Sequence, residues 1–136
     1  MPTKSIYDKF GVSERDWNAY KAEAREHMSA AAAKRRMITY GELASQMQSI
    51  ELQPHDMMLW EIIGSVAADE ENAGRGLLSV VVVHKHGDMA PGPGFFELAK
   101  YFGRDTRDKT ACFIAEVNKV HRYWSVLHPK KTTELS

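Results

Sequence analysis

The chain has 136 residues and a mass of 15.4 kDa, the size of one ordinary domain and too little for two separate cores. Its 18 Lys and Arg balance 18 Asp and Glu, so no bulk field gathers it on nucleic acid or on an acidic membrane. The 43% hydrophobic content supports a packed core and excludes wholesale disorder. The single cysteine, Cys112, can form neither an internal disulfide nor a cysteine-based zinc site, which suits a reducing compartment. No apolar run approaches the ~18 residues of a membrane span, and Met1-Pro2-Thr3-Lys4 does not open a signal peptide. The expectation is a cytoplasmic protein with no membrane partner.

Residues 1–36 read as a helical lead-in, broken at Gly11 and continued by a long helix that Ser13 caps. Trp17, Tyr20, Ala24, Met28 and Ala31 form its apolar face, and Lys34-Arg35-Arg36 ends it where cations suit the negative pole. Thr39 and Glu42 have the spacing of a capping box, so a short helix is expected after the link Met37-Ile38. Pro54 suits the first turn of the next helix, about His55 to Asn72, with Leu59, Ile62, Ile63 and Val66 on one face.

Leu77 to Val83 is a continuous apolar run that reads as a buried strand. Pro91-Gly92-Pro93-Gly94 is irregular and leads to a short helix, about Phe95 to Phe102, that stops at Gly103. A last helix over residues 104–128 carries Phe113, Ile114, Val117, Val120, Trp124 and Leu127 at helical spacing, and residues 129–136 form a polar tail. The whole is one mainly α domain with a small β element, an α+β chain whose core spans residues 37–102.

The order of these elements is that of a winged helix-turn-helix module. The segment Ile38-Thr39-Tyr40-Gly41-Glu42-Leu43-Ala44, with Leu77-Leu78-Ser79-Val80-Val81-Val82-Val83-His84-Lys85 further on, resembles the DNA-binding domain of methylguanine-DNA methyltransferases and alkyltransferase-like proteins over residues 37–102. The resemblance implies a helix-turn-helix topology. In that family the reactive cysteine precedes a His-Arg pair, whereas Val83 precedes His84-Lys85 here, so alkyl acceptance at this position is ruled out. Cys112 falls in the last helix and reads as a small core residue.

Charge is segregated along the chain. Residues 1–50 carry 8 basic and 6 acidic groups, 51–72 none and 6, and 73–136 carry 10 and 6. The candidate recognition helix is therefore acidic, with Asp56, Glu61, Asp69, Glu70 and Glu71, and leaves Gln53, His55 and Gln48 near its start to read bases. Phosphate contacts would come from Lys34, Arg35, Arg36 and Lys85, with Arg104, Arg107 and Lys109 as further members of a basic rim, and the same clusters read equally as ordinary surface charge. Tyr40 joins the expected nucleic-acid contacts.

Three other constellations are weighed beside this one. His84, His86 and Asp88 alternate as divalent-metal ligands would on a strand, though Gly87 interrupts the geometry, and they reduce most simply to a polar hairpin tip. The glycines before Phe95 could offer amides to an anion, but Pro93 removes a donor, so Phe95 and Phe96 are read as packing. Met57, Met58 and Trp60 could form an apolar patch flanked by carboxylates, pairing two copies or receiving a basic partner.

The expectation is thus a non-catalytic, DNA-associated accessory or regulatory protein of winged-helix type that uses no cofactor and no metal. One alternative is a homodimeric interaction module built on Met57, Met58 and Trp60. Another is a metal-dependent enzyme using His84 and His86, and a small-molecule ligand stays open.

Overall fold

A computed structural model describes residues 6–85 and 90–127. A short first helix, α1 (Ile6–Lys9), precedes the long α2 (Glu14–Ala33). Ser13 caps α2 as expected, its hydroxyl accepting the Asp16 amide at 3.0 Å, while Glu14 and Asp16 sit at the positive helix end. Trp17, Ala24, Met28 and Ala32 are its buried face, and α2 packs along both α4 (Met57–Asn72) and α6 (Lys109–Leu127).

The two-residue strand β1 (Ile38–Thr39) runs parallel to β2 (Val82–Val83), Ile38 opposite Val82 and Thr39 opposite Val83. Between them in the chain lie α3 (Tyr40–Gln46) and α4. The capping box forms at the start of α3, where the Glu42 amide reaches the Thr39 hydroxyl and the Thr39 amide reaches the Glu42 carboxylate. After β2 the His84 amide donates to the Ala90 carbonyl at 2.9 Å, bringing the chain back to α5 (Pro93–Tyr101). The result is mainly helical with a small parallel sheet, the α+β class expected.

Some boundaries differ from expectation. α4 begins at Met57 with Asp56 at its cap, so Pro54 and His55 lie in the turn before it. α6 begins at Lys109 rather than at residue 104. The largest correction is in Leu77–Val83, where Leu78–Val81 form a 3-10 turn and only Val82–Val83 are a strand. A buried strand needs a neighbour for its amides, and β1 supplies only two residues. The first half of the run satisfies itself otherwise: the Leu77 amide donates to the Glu116 carboxylate, and the Val80 amide to the Leu77 carbonyl.

Three helices end on the same pair of backbone hydrogen bonds, with one residue in the left-handed conformation. At α4 and α5 that residue is glycine, Gly74 (φ 82) and Gly103 (φ 87). At α2 it is Arg35, with φ 55, the one described non-glycine residue with positive φ. The Arg35 and Arg36 amides there reach the carbonyls of Ala32 and Ala31, each at 2.9 Å. An arginine carries strain in this position that a glycine does not.

Candidate functional site

The acidity of α4 is consumed in part inside the fold. Glu70, 1% exposed, accepts from Arg25 Nε at 2.7 Å and from Arg75 Nε at 2.6 Å. Burial alone would raise its pKa, but the two guanidiniums hold it below the usual carboxylate range. Glu71 takes both Nη atoms of Arg104 at 2.7 Å, and that bond lowers its pKa against the smaller effect of burial. Arg104 Nε also reaches Glu116 at 3.0 Å. Asp69 pairs with Lys21 at 2.6 Å, and Glu61 lies 3.9 Å from Lys9.

One expectation changes with this. Arg104 does not belong to a phosphate-contacting rim, because its fork is occupied by two carboxylates. The acidity of α4 is also answered in part within the chain, because Glu61, Asp69, Glu70 and Glu71 each lie beside one of its cations. Arg107 is likewise engaged by Asp105, and Lys109 lies over the Phe96 ring at 5.5 Å.

The residues expected to touch nucleic acid fall in separate places. Lys34, Arg35 and Arg36 are exposed beyond the end of α2, and the Arg36 carbonyl is 3.1 Å from His121 Nε2. They precede β1, whereas Tyr40 follows it, so the basic triplet and Tyr40 are at opposite ends of that strand. Gln53 and His55 are exposed in the turn before α4, with the Gln53 amide bound to Asp56. Lys85 is exposed just past β2. His84 stacks obliquely on Tyr40, their ring centres 4.9 Å apart. His86 and Asp88, proposed with His84 as metal ligands, lie outside the described residues, and no cluster of three potential ligands occurs among those described.

The expected apolar patch divides. Met57 and Trp60 are exposed at 58% and 50%, whereas Met58 turns to pack against the core, being on the other side of the same helix. Met57 and Trp60 border a cavity of about 750 Å³ between α4, the residues flanking β2 (Ser79 and His84) and α5. Its size is that of a small-molecule site. Tyr40, His84 and Gly92 form one wall, and Phe95, Leu98 and Tyr101 of α5 another. Tyr40 accepts the Gly92 amide at 3.2 Å, and burial raises the pKa of its phenol.

Ser79 and Gly64 are among the lining residues given no role by the sequence alone. Ser79 is 6% exposed, and its hydroxyl has no hydrogen-bond partner among the described residues. Gly64 lies mid-α4, where a Cβ would meet nothing within 4 Å. Each had a signal: Ser79 is the lone polar residue in a seven-residue apolar run, and Gly64 an isolated glycine in a helical pattern. Phe95 is buried and meets Phe96 edge to face, the packing expected of them. Cys112 is buried in α6, and burial raises its thiol pKa, the opposite of an activated nucleophile.

Among the described residues no helix is long and apolar enough to cross a membrane. Compared with family models, with curated proteins and with solved structures, the chain gives no match.

Proposed function

We propose that the protein is a non-catalytic, DNA-associated accessory or regulatory protein of winged-helix type. In this reading α3 and α4 are the helix pair and the turn after β2 is the wing. Arg35 carries the argument: it holds a strained left-handed conformation at the end of α2, where the matching positions of α4 and α5 are glycine. Backbone strain kept at an exposed side chain is a mark of function. Arg35 and its neighbours Lys34 and Arg36 are exposed and make no ion pair among the described residues, unlike Arg25, Arg75 and Arg104. Such cations are available to phosphates. The internal pairing of Glu61, Asp69, Glu70 and Glu71 reduces the repulsion an acidic α4 would exert. Gln53 and His55 then stand exposed at the start of α4, where a recognition helix reads base edges.

Fluorescence anisotropy with labelled duplex and single-stranded DNA at about 25 to 200 mM salt tests this. Affinity should fall steeply with salt, and alanine at Lys34, Arg35, Arg36 and Lys85 should flatten the slope by about 0.9 per duplex phosphate contact removed. Absence of binding at low salt, or binding indifferent to salt, overturns it. The exposure of Met57 and Trp60 favours a second reading, a homodimer joined through them. Light scattering showing a monomer at all concentrations overturns that one.

A further inference from the structure

We propose that the cavity between α4 and α5 binds an organic cation with an aromatic body. This goes beyond the DNA-associated reading and does not depend on it. The walls combine the electron-rich rings of Tyr40, Trp60 and Tyr101 with two carboxylates, Glu61 and Glu97, and among the described residues no lysine or arginine lines the space. Aromatic faces attract a cation through their quadrupoles, the more so where water is displaced. Lys9 approaches Glu61 at 3.9 Å, which leaves Glu97 without an ion pair among the described residues. A phosphate or carboxylate ligand would meet these walls with the wrong charge.

Gly64 adds an observation independent of the charges. Glycine in a helix interior is unfavourable relative to alanine, and here no close packing requires it, since a Cβ would project into open space. What the missing side chain leaves is room in the cavity it lines.

The test uses one ring system in three charge states: 1-methylquinolinium, quinoline and quinoline-4-carboxylate, titrated near neutral pH by calorimetry and by amide and indole NMR shifts of the whole protein. The cation should bind at least about fivefold more tightly than quinoline, and the carboxylate most weakly. Shifts should centre on Trp60, Gly64 and Ser79. Glu97→Gln should bring the cation toward the affinity of quinoline and leave quinoline unchanged. Gly64→Leu should abolish binding of both while the melting temperature stays at or above that of the parent. Equal affinity for cation and neutral ring overturns the proposal. So does binding that survives Gly64→Leu in a folded protein, or the absence of shifts at these residues with cation at about 10 mM.

Discussion

The Tyr40 hydroxyl occupies the space that a side chain on Gly92 would need: a Cβ there would lie 2.9 Å from the phenol oxygen and 3.4 Å from His84 Nε2. Gly92 has φ −71, so its glycine is required by this approach and not by backbone conformation. The contact joins the start of α3 to the start of α5 and holds one wall of the cavity, since the Gly92 amide donates to that same oxygen.

Gly92→Ala should therefore lower stability by about 1 to 3 kcal/mol by pushing Tyr40 from its place. Tyr40→Phe should cost about 1 kcal/mol, from a buried amide left without its acceptor. The two effects should not add, because removing the hydroxyl also removes the nearest obstruction to the new methyl group. Urea denaturation of the four proteins in a double-mutant cycle measures the coupling; strict additivity would show that the contact does not govern the site.

Arg104 binds two elements into one electrostatic unit. Its guanidinium meets Glu71 at the end of α4 and Glu116 in α6, and the Glu116 carboxylate in turn accepts the Leu77 amide at 2.9 Å. Removing the arginine leaves Glu116, 4% exposed, beside a backbone amide and no cation from this partner. Arg104→Ala should cost about 3 to 5 kcal/mol. At this chain length that corresponds to a fall in Tm on the order of 10 °C. Arg104→Lys should recover part of the loss only, because an ammonium cannot make the forked contacts to both carboxylates. Thermal melts of both variants give the comparison.

Local signals in the chain carried over into the structure, and distant ones did not. The Ser13 cap and the Thr39–Glu42 box depend on residues three apart, and both form as spacing dictates. The stripe Leu59, Ile62, Ile63 and Val66 is buried because a 3.6-residue period leaves it one face. Leu77–Val83 is different, since an apolar run looks alike as strand or as 3-10 turn, and the deciding fact, a partner strand of two residues, lies 44 positions away (Val82 to Ile38). The ion pairs of Glu70 and Glu71 with Arg25 and Arg104 span 45 and 33 positions. Two of the acids on a helix that reads as acidic in the sequence, Glu70 and Glu71, are thus paired by distant arginines in the fold. The cavity was illegible for the same reason: its walls come from α3, α4, the 3-10 turn, His84 and α5, and neither Ser79 nor Gly64 implies the other.

Arg35 separates stability from binding. Arg35→Gly relieves the left-handed strain of about 1 to 2 kcal/mol, against which the freer unfolded chain takes back part. The net expectation is a gain of about 0.5 to 1 kcal/mol, read as a higher urea midpoint. The same change removes an exposed cation from the proposed phosphate surface, so affinity for DNA should fall as stability rises. Opposite signs would mean that Arg35 is retained for its charge. A variant that is more stable and binds as before would place the phosphate contacts elsewhere.

Glu23 fixes the segment after α3 to α2. Its carboxylate accepts the Gln48 and Ser49 amides, the Ser49 hydroxyl at 2.6 Å and lies 3.0 Å from His27 Nε2. Burial opposes the charge, but the Ser49, His27 and Gln48 hydrogen bonds outweigh it and lower the pKa from 4.5 to about 2. The stabilisation is present above pH 4.5, where the unfolded chain is also ionised, and is lost as pH falls through that value toward 2. The side chain is 15% exposed and close to solvent, so screening reduces the contribution to about 1 to 2 kcal/mol. Glu23→Gln keeps the shape but replaces one acceptor oxygen by a donor that faces other donors. Urea midpoints of parent and variant should differ most at neutral pH and converge between pH 4.5 and 2 as the parent's carboxylate takes up its proton. Taking the difference between the two cancels the other carboxylates that titrate over the same range, so a gap that stays constant down to pH 2 would show that Glu23 acts through packing and not through its charge.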